Sequence, residues 1–467
     1  MKGKYFKYTI LLVAAILLTS AILGCTPTAE APAPPAEPGV APEPDVEEPA
    51  APVDTDAEVA MDFVTWSYGV ESIADNIANF QDINPNITIT HNDYSWLEYR
   101  DTMIGVFAAG NPPYLLYGSD HWLDEWASAG WLEPLDEHCP NVAEYNLEVA
   151  PYALEGMTWQ GQTFGLSYYA DTMDFVYNAE FVEEAGFTAA PTTLDEVYEM
   201  SVAIKEQGIN QYPIIMAWSQ AEGAYPEAWL SLVYAQHVGD NAMFDDDLNP
   251  VFNSEGSAAY EVMEWLRMVY EEGLLDPASL TTAEIDQVRS MQAGAQTFTI
   301  VPQYNMAELN SPGSGDYAGS FEIALMPGPS HATVGYVRFY AMTPRVVEAG
   351  PEYVDAACKF MDYFGGKHEG EYVVVKRWAV ENGLGFAQLP LFDDAEVIEA
   401  FGSWGDVPTI REQASLARAK EGMTDWYGSW DVFARAEIHK GILGELSTME
   451  VLDNMANMWV ELMQQYQ

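Results

Sequence analysis

Basic residues are scarce in this chain. Its 467 residues hold 18 Lys and Arg against 72 Asp and Glu, a formal net charge of −54. Such a surface repels phosphate backbones, which excludes nucleic acid as a partner, and it disfavours acidic partners too. Catalytic signatures are missing: there is no His-Glu-x-x-His, no Gly-x-Ser-x-Gly and no phosphate-loop Gly-Lys-(Ser/Thr). The seven His are scattered without a ligand-like pair. Asp245-x-Asp247-x-Asn249 opens like a calcium loop, but Pro250 stands at position six and Gly256 at position twelve, so it reads as a surface turn. No catalytic residue, metal or cofactor is expected. Only three cysteines occur. Cys139 and Cys358 could pair outside the cytoplasm or remain buried thiols, and nothing local decides between the two. Beyond the N-terminus no apolar run reaches membrane-spanning length, and there is no internal repeat.

The N-terminus is where a short apolar run does occur. Lys2, Lys4 and Lys7 precede the stretch Tyr8 to Ile22, which is too short and wrongly flanked for a span. It ends in Ile22-Leu23-Gly24-Cys25, which resembles a bacterial lipobox. The resemblance implies a signal peptide over 1–24, cleavage before Cys25, and diacylglycerol on its sulfur. Residues 25–57 follow as a linker. Thr26 to Ala57 carries nine prolines and eight acids with no aromatic, Lys or Arg. It cannot bury enough apolar surface to offset its ordering entropy. At ~3.1 Å per residue in polyproline II, it could reach at most roughly 100 Å. The expectation is a globular body, extracytoplasmic and lipid-anchored to the cell membrane, on an acidic leash.

The body, residues 58–467, is too long for one core and suggests two lobes. Its acids are spread along the whole length, which favours a salt-adapted surface over a device for capturing cations. Val59–Trp66 reads as a strand. Ile73, Ile77 and Phe80 recur at helical spacing, and Ile87–Thr90 is a second strand after an Asn-Pro-Asn turn. A helix near Trp96–Ala109 is stopped by Gly110-Asn-Pro-Pro113, and Tyr114–Tyr117 is a short strand. This alternation implies a mainly parallel sheet. Thr193-x-x-Glu196 and Ser447-x-x-Glu450 fit capping boxes that open helices.

The ordered segments resemble the extracellular solute-binding proteins of ABC importers, family 1, the maltose-binding-protein type. Asn84-Pro-Asn-Ile-Thr-Ile89 resembles the family's Asn-Pro-(Gly/Asn)-Ile-x-Val. Gly130-Trp-Leu-Glu-Pro-Leu-Asp136 resembles Gly-x-Leu-x-Pro-Leu-Asp, and Gly161-Gln-Thr-Phe-Gly-Leu-Ser167 resembles Gly-Lys-x-Tyr-Gly-Leu-Pro. Phe175 to Asn178, Phe181 to Gly186 and Pro191 to Glu196 continue the series. Ser167 and Leu194 depart from the usual Pro and Trp, and Tyr114 stands where an Asp is common.

The resemblance implies an α/β, two-lobed periplasmic-binding-protein fold (type II) with the ligand cleft between lobes. Lobe one would take 58–167 and 320–366, and lobe two 168–310 and 370–467. It also implies a solute receptor rather than an enzyme. The receptor would work as a monomer and deliver a carbohydrate, of oligosaccharide size, to an ABC permease. Sugars need aromatic faces and a few placed polar groups. By matching positions, the candidates are Trp66, Tyr68, Asp120, Trp122, Tyr169, Asp171, Trp218, Tyr225, Tyr304, Tyr336, Arg338, Trp404, Trp426 and Trp430. Each Trp could equally be core, and Asp120 and Asp171 could be helix caps. The alternatives are a cationic or quaternary-ammonium ligand, a glycoside-acting enzyme with paired carboxylates, and a binding protein turned to sensing or adhesion.

Overall fold

The computed structural model describes residues 57–220 and 225–466, with the backbone alone for Tyr225 and Pro226. The signal peptide, Cys25 and the acidic linker lie outside the described residues. Among the described residues ten strands occur: β1 (Val59–Trp66), β2 (Ile87–Tyr94), β3 (Leu115–Ser119), β4 (Thr158–Trp159), β5 (Gln162–Thr163), β6 (Leu166–Asn178), β7 (Phe298–Pro302), β8 (Phe321–Ala324), β9 (Thr333–Met342) and β10 (Ala417–Arg418). The main sheet runs β2-β1-β3-β9-β6-β7, with β8 paired to β6 and β10 to β9.

The first β-α-β unit forms as its sequence implies. The helix Val70–Ile83 buries Ile73, Ile77 and Phe80, one residue per turn of one face. β1 pairs in parallel with β2 and β3. The expectation of a mainly parallel sheet fails beyond this unit. β9 lies antiparallel to both β3 and β6, and β6 is antiparallel to β7 and β8. The reason is that β9 returns the chain between two existing strands instead of adding a βαβ unit at an edge. Its ten residues, TVGYVRFYAM, are all buried. Gly118 and Gly165 make room for it: a Cβ at either would lie 2.2 Å from the Phe339 ring. That close approach seats Phe339 between β3 and β6.

Two apolar clusters fill the interior. One gathers β1, β2, β3, the helix Pro351–Phe364 and the segment from Tyr372 to Ala414. It continues onto one face of β6, β7 and β8 through Val176, Val301 and Ile323. The other packs the helices Leu194–Glu206, Tyr225–Gln236, Ala258–Glu271, Tyr427–Ile442 and Thr448–Tyr466 against the opposite face, through Met173, Phe175 and Ile300. β6 and β9 contribute side chains to both. Cys139 and Cys358 form a disulfide with Cα atoms 5.3 Å apart, which ties the loop after Leu135 to the helix Pro351–Phe364. Among the described residues no helix is long and apolar enough to cross a membrane.

Candidate functional site

Where the two clusters meet lies a cleft of about 460 Å³. Trp66 ends β1, Tyr68 follows it, and Trp96 opens the helix Trp96–Ala108; all three face the cleft from one side. β6 and β9 supply the base through Tyr168, Tyr169, Tyr336 and Arg338. The opposite side is built from Glu227, Glu284, Ile285, Pro302 and Tyr304, with His121 and Leu384 completing the lining.

Adjacent residues of a regular strand point to opposite faces, yet Tyr168 and Tyr169 both reach the cleft. The pairing of β6 with β9 shifts register between Ser167 and Tyr169. Such a bulge re-aims side chains, and here it yields two rings at 82° with centroids 4.8 Å apart. Trp66 is held edge-on to Trp96 at 5.2 Å, and Tyr168 stacks on Tyr117 at 4.6 Å. The aromatic wall is thus fixed by rings behind it. Tyr68 and Trp96 remain 41% and 43% exposed, which leaves their faces open at the rim.

Beneath the aromatics runs a chain of buried charges. The register sets Arg338 opposite Ser119 on β3 and Tyr169 on β6. Its Nη1 donates to Asp120 Oδ1 at 2.5 Å. Lys420 Nζ lies 3.3 Å from Asp120 and 3.1 Å from Glu227, and the Glu227 carboxylate meets the His121 ring at 2.9 Å. Burial raises both carboxyls, but the Lys420 and Arg338 charges and the His121 ring beside them win. Asp120 is held well below the usual carboxylate range, and Glu227 falls to about 2. Burial, then the Lys420 charge, lowers His121. Around neutral pH the set therefore balances: Asp120 and Glu227 against Arg338 and Lys420.

The structure places the expected residues as follows. Trp66, Tyr68, Tyr169, Tyr304, Tyr336 and Arg338 line the cleft. Trp122 sits one layer back, stacked on Trp96 at 5.4 Å. Asp120 grips Arg338 from beneath and faces a second cavity of about 320 Å³. Asp171 is buried behind Tyr304, whose backbone N–H it accepts at 3.2 Å. Burial, then the neighbouring Asp174 charge, pushes it well above the usual carboxylate range. Trp218, Trp426 and Trp430 belong to the second apolar cluster and Trp404 to the first. The Tyr225 side chain lies outside what is described. Trp96, Tyr168, His121, Glu227, Glu284 and Lys420 were not foreseen. Trp96 alone carried a signal, since an aromatic at a helix start beside a strand end faces the same way as that strand's tip.

The calcium-like loop is closed on itself: Asp245 Oδ1 accepts the backbone N–H groups of Asp247 and Asn249 at 3.0 and 2.8 Å. Among the described residues one His-carboxylate group, Glu133, Glu137 and His138, comes within metal-binding reach, and there the His138 ring is bonded to Glu133 at 2.8 Å.

A maltotriose-binding protein of Pyrococcus abyssi is 30% identical over 125 residues, 25% of this chain and 26% of that protein. A binding protein of Brucella abortus is 23% identical over 207 residues, 44% of this chain and 48% of the relative. The chain thus spans between a quarter and a half of the length of these curated relatives. The sugar-binding protein MalE of Xanthomonas citri superposes with a TM-score of 0.72 at 20% identity, over 87% of this chain and 98% of that one. Maltose-bound MalE3 of T. maritima gives 0.70 at 18%, over 86% and 100%. These likenesses show the two-lobed α/β periplasmic-binding-protein fold. The family pattern of the bacterial extracellular solute-binding proteins matches residues 66–369, well over half of the sequence, and the chain belongs to that extracytoplasmic family.

Proposed function

We propose that this protein captures a carbohydrate of oligosaccharide size in the cleft and delivers it to the permease of an ABC importer. The observation that carries this reading is the cleft wall: seven aromatic side chains around about 460 Å³, with few polar groups among them. Apolar ring faces match the C–H faces of pyranoses, and sparse polar groups fix orientation. The maltotriose-, maltose- and cyclic maltosyl-maltose-binding names of similar proteins point the same way. The ligand would be held and released unchanged.

In this reading 58–167 with 320–366 form lobe one, and 168–310 with 370–467 form lobe two, the Tyr372–Ala414 part of which packs into the first apolar cluster. β6 and β9 are the crossovers about which the lobes close by hinge motion. The protein works as a monomer, anchored through lipid on Cys25. A second reading, a cationic solute, draws on Glu227 and Glu284 in an aromatic lining. Glu227 is already matched by Lys420, which favours a neutral ligand.

Isothermal titration against neutral oligosaccharides, betaines and polyamines tests the ligand class. Saccharide binding that changes little with salt supports the proposal; binding of an amine that weakens with salt assigns the carboxylates to capture. Multiple turnovers of a saccharide would make it an enzyme. Loss of metabolic lipid labelling in Cys25→Ser tests the anchor.

A further inference from the structure

Arg338 is built into the cleft with part of its hydrogen-bonding capacity unused. Its Nη1 donates to Asp120 Oδ1 at 2.5 Å and to the Val337 carbonyl at 3.1 Å. Nε is buried and has no hydrogen-bond partner among the described residues, and Nη2 donates to none of them. Nε and Nη2 share one edge of the planar guanidinium, where two N–H bonds run side by side. That edge cannot swing away to find a partner. The residue is only 5% exposed, and its guanidinium carbon lies 4.9 Å from the Tyr336 ring centre and 5.7 Å from that of Trp96. Arg338 lines the cleft, so a molecule held there is a source for the missing acceptor.

We propose that the Nε–Nη2 edge of Arg338 is a specificity-determining group that grips two adjacent hydroxyl oxygens on an uncharged sugar ring. This rests on the carbohydrate reading and narrows it to neutral sugars with a free vicinal diol. The same edge geometrically fits a carboxylate, but the surroundings oppose one. The Arg338 charge is already matched by Asp120, and Lys420 sits between Asp120 and Glu227. Glu227 and Glu284 also stand on the lining. A uronate would bring a further carboxylate into a low-dielectric space whose cations are already engaged. Neutral hydroxyl oxygens accept from the guanidinium without that penalty.

The test is calorimetric titration of the full chain with neutral trisaccharides (maltotriose, cellotriose) and with trigalacturonate, followed by monodeoxy analogues of the best neutral binder. A neutral trisaccharide should bind and trigalacturonate should not. Deoxygenation at either position of one adjacent hydroxyl pair should weaken binding roughly 10- to 100-fold, the scale of a hydrogen bond to a charged group. Arg338→Lys keeps a charge for Asp120 but lacks the planar fork. It should weaken the parent sugar by a similar factor and erase the difference between parent and deoxy analogues. Tighter binding of trigalacturonate than of neutral sugars overturns the inference while leaving a carbohydrate receptor. So does an undiminished Arg338→Lys, or wild-type indifference to every deoxy analogue, which needs no variant to fold. No saccharide binding at all overturns the carbohydrate reading itself, and the inference with it.

Discussion

Lys420 is the residue on which the charge balance under the cleft turns. It is 4% exposed and is shared by Asp120 and Glu227. Lys420→Met leaves two buried carboxylates with less counter-charge, and breaking such a pair costs about 3–5 kcal/mol; denaturant unfolding should show a loss of that order. Asp174, fully buried in β6, behaves oppositely. One oxygen accepts from Thr172 Oγ1 at 2.7 Å, and burial lifts its carboxyl to about 7. A carboxyl whose folded pKa lies above its unfolded value stabilises the fold below the unfolded value. That contribution is lost as pH rises through about 7. His91, His121 and His439, lowered chiefly by burial, act with the opposite sign as pH falls through their range. The test is therefore the difference between wild type and Asp174→Asn. Thermal midpoints from pH 5 to 8 should show wild type losing stability relative to the variant; parallel profiles would refute it. Of the cleft residues, those at strand tips and on the crossover strands (Trp66, Tyr68, Tyr169, Tyr336, Arg338) were legible from sequence. Tyr168 was not, because a regular strand would turn it away and the bulge has no sequence mark. Glu227 and Lys420 were not either, since their partnership spans 193 residues and exists only in the folded chain.

Among the elements, the helix starts were the most legible, because a cap is chemistry within four residues. Ser447 and Glu450 form a reciprocal box: Ser447 Oγ accepts the Glu450 N–H at 3.3 Å, and the Glu450 carboxylate accepts the Ser447 N–H at 2.9 Å. At Thr193 the cap is present, but the Glu196 carboxylate reaches back to the N–H and hydroxyl of Thr192 instead. Ser447→Ala should lower stability by about 1 kcal/mol, measured by denaturant midpoint at unchanged slope. Sheet direction was less legible. Local alternation describes β1, β2 and β3 correctly, but whether a later strand returns parallel or antiparallel depends on where it enters the sheet. The two glycines that admit Phe339 show how β9 enters. The disulfide likewise was undecidable from sequence, since its cysteines are 219 positions apart. Cys139→Ser with Cys358→Ser should cost about 2–5 kcal/mol and leave the cleft's ligand affinity unchanged.

For the molecule as a whole, the family and its two-lobed architecture were readable from the order of short motifs, while the acidic surface spoke only to solubility and environment. With a formal charge of −54, self-repulsion opposes the compact state and salt screens it. Adding salt should therefore raise the thermal midpoint, and a fall would contradict the screening argument. The cleft, an aromatic cavity over a balanced set of buried charges, is proposed to take a neutral carbohydrate. The most direct test is a thermal-shift screen of the protein against neutral mono- and oligosaccharides beside betaines and polyamines. A ligand at 100 times its Kd adds about 2.7 kcal/mol and raises the midpoint by a few degrees. Such a shift is expected with at least one neutral saccharide, together with its loss in Trp66→Ala; a cooperative melt moved by an amine and by no saccharide would contradict the carbohydrate reading.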